Sequence, residues 1–116
     1  MHHSGRCHCG KIRFQFDADP IESGLRCNCS LCVRKGATMT AFTVAPDALQ
    51  IDAAPDVLGT YRFGTETATH YFCQRCGIYP FHHPASAPTH YRINIGCLDG
   101  VDAAALPFSV YDGASL

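Results

Sequence analysis

Three tight cysteine groups dominate the chemistry open to this 116-residue chain: Cys7-x-Cys9, Cys27-x-Cys29-x-x-Cys32 and Cys73-x-x-Cys76. Thiolates at such spacing share a soft metal ion more readily than they cross-link distant segments. Structural zinc is normally four-coordinate and closed, whereas catalytic zinc keeps one position for water or substrate. Cys7, Cys9, Cys73 and Cys76 supply one closed set. Cys27, Cys29 and Cys32 then form a second set with three protein ligands and one open position. Joining Cys7 and Cys9 to Cys27 and Cys29 is the other division open to the sequence. It strands Cys32 and leaves Cys73 and Cys76 as a bare pair, so the division into four and three is preferred.

The ligand type favours zinc, with iron–sulfur ligation the open alternative. Disulfides are the competing use of eight cysteines. The residues before Cys7 contain no apolar run of the kind an export signal requires. The expected compartment is therefore the reducing cytoplasm, where disulfides rarely persist. Net charge is −1, from nine Lys+Arg and ten Asp+Glu, which lacks the basic footprint of a nucleic-acid binder. No apolar run approaches membrane-spanning length. With 47% hydrophobic residues the chain can bury a core, and residues 1–116 read as a single domain. In a domain this small a metal is a useful staple.

The elements that must position the sulfurs read mostly as short strands. Lys11 to Asp17 alternates, with Ile12, Phe14 and Phe16 on one face. Thr38 to Val44 is rich in β-formers. Val57 to Phe63 and Thr67 to Cys73 flank Gly64-Thr65-Glu66, the pattern of a hairpin. Tyr91, Ile93 and Ile95 alternate in a last strand. Short helices are expected at Ser30–Lys35 and Asp102–Leu106, and seven prolines discourage longer ones. His82 to Pro88 reads as a surface loop, and the stretch from Val110 onward as a fraying tail. Cys9 and Cys76 are each followed by a glycine, Gly10 and Gly77, which permits the positive φ of a tight turn.

The remaining candidates are weighed against ordinary structural roles. Cys97 reads as a small buried residue rather than a ligand. His8 points away from its flanking ligands, and His70 is a strand residue. His82, His83 and His90 lie where one of them can approach the open metal position. Arg34 and Lys35 read equally well as a solvated surface pair or as an anion contact.

Three segments carry a family resemblance: Gly5-Arg6-Cys7-His8-Cys9-Gly10-Lys11-Ile12-Arg13, Cys27-Asn28-Cys29-Ser30-Leu31-Cys32 and Phe72-Cys73-Gln74-Arg75-Cys76-Gly77. They resemble the zinc motifs of the glutathione-dependent formaldehyde-activating enzyme family, which includes centromere protein V-like domains. Asn94 to Asp102 resembles the family's final strand and turn, so the likeness runs from about residue 4 to about residue 113. The resemblance implies a mainly β, Mss4-like fold of small antiparallel sheets stapled by zinc. It implies a structural zinc on Cys7, Cys9, Cys73 and Cys76, and a catalytic zinc on Cys27, Cys29 and Cys32. The implied activity is that of a carbon–sulfur lyase joining glutathione to formaldehyde as S-hydroxymethylglutathione. One departure stands out: Val33 follows the triplet where the family often has a basic residue.

Such a site suits thiol chemistry. A coordinated thiol loses its proton readily, and the thiolate is the nucleophile. Three protein thiolates make a zinc ion a poor Lewis acid, which favours thiol addition over water activation. Asn28, Ser30, Tyr79 and His82 are the candidate donors to the alkoxide formed from the aldehyde. The alternative reading is a non-catalytic zinc module that binds a partner or a small thiol, with a fourth protein ligand closing the triplet.

Overall fold

The computed structural model describes residues 1–63 and 67–115. In chain order the strands are β1 (His2–Arg6), β2 (Ile12–Asp17), β3 (Gly24–Cys27), β4 (Met39–Thr40), β5 (Gln50–Ala53), β6 (Leu58–Tyr61), β7 (Thr69–Cys73), β8 (Phe81–His83), β9 (Arg92–Ile93) and β10 (Phe108–Tyr111). One α-helix, α1 (Ser30–Lys35), follows β3, and short 3₁₀ turns lie at Ile95–Cys97, Ala103–Ala105 and Gly113–Ser115. The strands form three small sheets ordered β1-β2-β5, β10-β3-β4 and β6-β7-β8-β9. The mainly β class expected from the sequence is what the molecule shows. All pairs between these strands are antiparallel except β3–β10, which run parallel.

Alternation in β2 buries Ile12, Phe14 and Phe16 and exposes the residues between them. Phe14 meets Phe81 of β8 edge-on, with ring centroids 5.6 Å apart, so the first sheet packs directly on the third. Phe81, Ile12 and Ile93 are completely buried at this junction. A fully buried aromatic or aliphatic side chain contributes about 1.5–3 kcal/mol, so these few residues carry much of a small core. Cys97 lies in the same core, 8% exposed, and burial pushes its thiol up to about 12. It is the buried residue the sequence suggested.

Several sequence expectations shift in detail. β6 and β7 pair as a hairpin's arms, but the expected turn at Gly64–Glu66 lies outside the described residues. The strand expected from Thr38 to Val44 contracts to β4, with Val44 bridging Tyr91. The strand expected through Ile95 stops at Ile93, because the Asn94 side chain caps a 3₁₀ turn by accepting from the Gly96 N–H. The helix expected over Asp102–Leu106 is a single 3₁₀ turn, Ala103–Ala105. His82 and His83 belong to strand β8 rather than to a surface loop, since Thr69 and His70 supply their partners. The described part of the tail is ordered, with Phe108 to Tyr111 pairing with Gly24 to Cys27 as β10.

Candidate metal centres and the cleft beside them

Two matching turns build the four-sulfur group. After β1, the Cys7 N–H donates to the Ile12 carbonyl at 3.0 Å and the Gly10 N–H to the Cys7 carbonyl at 3.2 Å. At the end of β7, the Cys73 N–H donates to the Ile78 carbonyl at 2.9 Å and the Gly77 N–H to the Cys73 carbonyl at 2.8 Å. Gly10 and Gly77 both take positive φ, 80° and 79°, which a side chain would resist. Backbone N–H groups turn onto the sulfurs. Ile12 donates to Cys7 Sγ at 3.4 Å, and Arg75 and Cys76 both donate to Cys73 Sγ at 3.4 Å.

Cys7, Cys9, Cys73 and Cys76 thus bring four sulfurs within 4.8 Å of one another. Cys7 Sγ stands 3.6 Å from Cys9 Sγ, which stands 3.7 Å from Cys73 Sγ. A tetrahedral zinc with bonds of about 2.3 Å separates its sulfurs by about 3.8 Å, so the donor set fits that ion in both type and spacing. Cys7 and Cys73 are buried, and His8 is exposed between the two first ligands. Burial pulls the Cys76 thiol upward. N–H groups of Cys9 and Ile78 and the Cys73 and Cys7 sulfurs outweigh it and bring it down to about 6. None of the eight cysteines is in a disulfide.

The triplet is built from a strand end and a helix start. Cys27 closes β3, and Cys29 caps α1, its sulfur accepting from the Cys32 N–H at 3.4 Å. The Cys29 N–H donates to Cys27 Sγ at 3.5 Å. The three sulfurs also lie within 4.8 Å of one another, and no fourth Cys, His, Asp or Glu among the described residues joins them. Burial raises Cys32 to about 12, against the pull of the Lys35 ammonium. The four-and-three division is therefore the one the fold produces.

The parallel β3–β10 pair lays the chain's last residues over this triplet. The Asn28 amide donates to Asp112 Oδ1 at 3.0 Å, and its carbonyl accepts from the Ala114 N–H at 2.8 Å. Gly113 fits against the sulfurs so closely that a Cβ there would stand 2.4 Å from Cys27 Sγ. Asn28, a candidate donor from sequence, is thus committed to holding this strap. Ser30, another candidate donor from sequence, is exposed.

Beside the triplet opens a cleft of about 240 Å³. Cys27, Cys29 and Cys32 form part of its wall, with Lys35, His70 and His82. His70 and His82 sit directly opposite each other on β7 and β8, with ring centroids 5.3 Å apart. The His70 ring bonds the Tyr79 hydroxyl. Burial depresses both imidazoles, His70 to about 4 and His82 to about 2, so both are neutral near pH 7. Burial raises the Tyr79 phenol, and the triplet sulfurs push it further.

Of the two readings open for Arg34 and Lys35, the solvated surface pair does not hold for Lys35. Arg34 is exposed and donates to the Ser30 carbonyl at 2.8 Å. Lys35 turns inward, its Nζ 3.9 Å from the centre of the Tyr79 ring. Burial lowers this ammonium below the ordinary lysine range, while the Cys32, Cys29 and Cys27 sulfurs oppose that shift. His82 Nδ1, buried, has no hydrogen-bond partner among the described residues, and the buried Lys35 Nζ has no oxygen or nitrogen partner but faces the Cys32 sulfur. The signal for Lys35 was its spacing: three residues after Cys32 on a helix, it shares that cysteine's face. His70 was read as an ordinary strand residue, and its facing partner could not be foreseen.

Comparison with known proteins agrees with this geometry. Residues 2–112 match the family model described as glutathione-dependent formaldehyde-activating enzyme. A structural-genomics crystal structure of a Rhodobacter sphaeroides protein is 34% identical in sequence. It matches with a TM-score of 0.79 over 91% of this chain and 99% of its own. No helix among the described residues is long and apolar enough to cross a membrane.

Proposed function

This chain belongs to the glutathione-dependent formaldehyde-activating enzyme family, and from that premise we propose that it is a zinc-dependent carbon–sulfur lyase. In this reading a single domain of the Mss4-like class, working in the reducing cytoplasm, joins a glutathione-like thiol to a small aldehyde. The observation that supports it is the contrast between the two sulfur groups. One set of four is complete, while the set of three lies in a cleft wall with no fourth side-chain ligand among the described residues.

Cys7, Cys9, Cys73 and Cys76 would hold a structural zinc, and Cys27, Cys29 and Cys32 a catalytic one. A zinc bound by the triplet would lower the pKa of an arriving thiol, supplying a nucleophile at neutral pH. The chain's own residues do the rest. Backbone N–H groups of Cys29 and Cys32 fix the Cys27 and Cys29 sulfurs in place. The buried Lys35 ammonium offsets the negative charge gathered on the sulfurs. It also offers a donor to the aldehyde oxygen as carbon–sulfur bond formation pushes electrons onto it. The neutral His82 ring lines the same wall and leaves a ring nitrogen free for that oxygen.

The test is Cys32→Ser in the zinc-loaded protein. The variant should keep its circular dichroism and one zinc per chain while losing hemithioacetal formation from glutathione and formaldehyde. Undiminished turnover would sink the reading. Stoichiometric zinc without turnover in the wild type would favour a zinc module that only binds a thiol.

A further inference from the structure

The cleft beside the triplet is larger and more apolar than formaldehyde requires. Formaldehyde adds one carbon and one oxygen to a thiol. An apolar cavity of about 150 Å³ is already enough for benzene, and a water occupies about 30 Å³ of liquid. The cleft here measures about 240 Å³. Leu25, Met39, Phe63, Pro84 and Tyr111 line it with carbon. Among the described residues its charged wall residues are Lys35 and Arg92, with no carboxylate. Arg92 is partly engaged, donating to the Thr40 carbonyl at 3.0 Å.

Resting on the reading of the triplet as the thiol site, we propose that the cleft takes a thiol–aldehyde adduct with an apolar substituent of about benzyl size, its oxygen presented to Lys35 and His82. Two observations carry this beyond volume. His82 Nδ1 is buried without a hydrogen-bond partner, and Lys35 Nζ, held against the Tyr79 ring and the Cys32 sulfur, has no oxygen partner, in a wall that among the described residues is otherwise mostly carbon. An unpaired buried polar atom is costly, and an oxygen that reaches His82 Nδ1 satisfies it. The positive wall charge favours an electron-rich oxygen, which an adduct's alkoxide supplies. The neutral state of His82 fits, because its free ring nitrogen can pair with a hydroxyl.

The step balances without any further reagent. The thiolate sulfur attacks the carbonyl carbon, a C–S bond forms, and the C=O π pair moves to oxygen. The proton that the thiol gave up ends on that oxygen, so a thiol and an aldehyde become one hemithioacetal. The apolar substituent can enter on either reactant.

The experiment separates this from the lyase reading. Phenylmethanol carries the ring and the hydroxyl but neither thiol nor aldehyde. Titrated into the zinc-loaded protein, it should shift the His82 ring resonances saturably in the NMR spectrum. Ala85, exposed at the cleft wall, can be enlarged with little risk to the fold. Ala85→Trp should weaken the titration at least tenfold, and Lys35→Met at least fivefold. Turnover is then compared for glutathione with formaldehyde, glutathione with benzaldehyde, and phenylmethanethiol with formaldehyde. A kcat/KM advantage of at least tenfold for one aromatic arm identifies which reactant brings the ring. Absence of any phenylmethanol shift, with glutathione and formaldehyde still turned over, overturns the inference and leaves the lyase reading intact. Saturable phenylmethanol binding with no turnover in any arm supports the cleft's preference and removes the lyase.

Discussion

The two sulfur groups are made of the same ligand but are supported in different ways. The four-sulfur group joins two turns of matching hydrogen-bond pattern whose first cysteines are buried. The triplet is partly open and sits at the edge of a cleft, braced by a six-residue helix and a strap from the far end of the chain. Ligation from two sides by matching turns suits an ion that holds the fold. Ligation on one side only suits an ion that must be reached. Identity of the ligands says little about the task; the packing behind them says most of it.

The largest effect that would break this comparison comes from the buried pair. Cys7→Ser should unfold the chain or leave it molten, because metal binding free energy in such sites is folding free energy. The check is circular dichroism with a zinc count: a folded Cys7→Ser protein would place the structural burden elsewhere. Chelation should follow the same division, with the triplet metal leaving first and without loss of secondary structure.

A second effect belongs to the cleft side alone. His70 and His82 stay neutral in the folded protein down to about pH 4 and about pH 2, while in the unfolded chain they protonate near 6.5. Their contribution is therefore complete above pH 6.5 and is lost as pH falls below it. The pair should account for roughly 2–3 kcal/mol between pH 7 and 5.5, read by urea titration. His82→Phe should cut that slope by about half. An unchanged slope would mean that the acid sensitivity lies in the sulfur groups.

Smaller changes sharpen the contrast. Gly113→Ala places a methyl against Cys27 and should lower triplet metal affinity about tenfold, or about 1.4 kcal/mol. The four-sulfur metal should be unaffected, as competition with a chelating dye would show. Asn28→Ala removes both anchors of the strap and should cost about 1 kcal/mol. Hydrogen exchange should then speed up over residues 108–115 and nowhere near Cys73.

The sulfur partition was legible because ligand spacing is local and the division into four and three leaves no ligand stranded. Helix α1 appears at the residues expected, since Cys29 caps it and Gly36 ends it. The alternation of β2 was equally plain. β3 and β10 were not, because each is four residues long and each acquires its meaning from a partner more than 80 positions away. Lys35 illustrates the same limit. Its charge was visible, but its burial depends on Tyr79, a residue the local pattern does not connect to it. His82 looked like loop beside Pro84 and became strand once His70 was placed opposite.

The strap has a consequence for how the protein is made. All four sulfurs of the closed group have been synthesised by residue 76, whereas β10, which backs Cys27, is complete only at Tyr111. At about 5–20 residues per second, the ribosome needs roughly 2–7 s to cover that interval. A nascent chain can thus acquire its first ion and a folded frame before the bracing of the triplet exists. Loading would be ordered by chain elongation itself, with the ion that holds the fold preceding the one proposed to meet substrate.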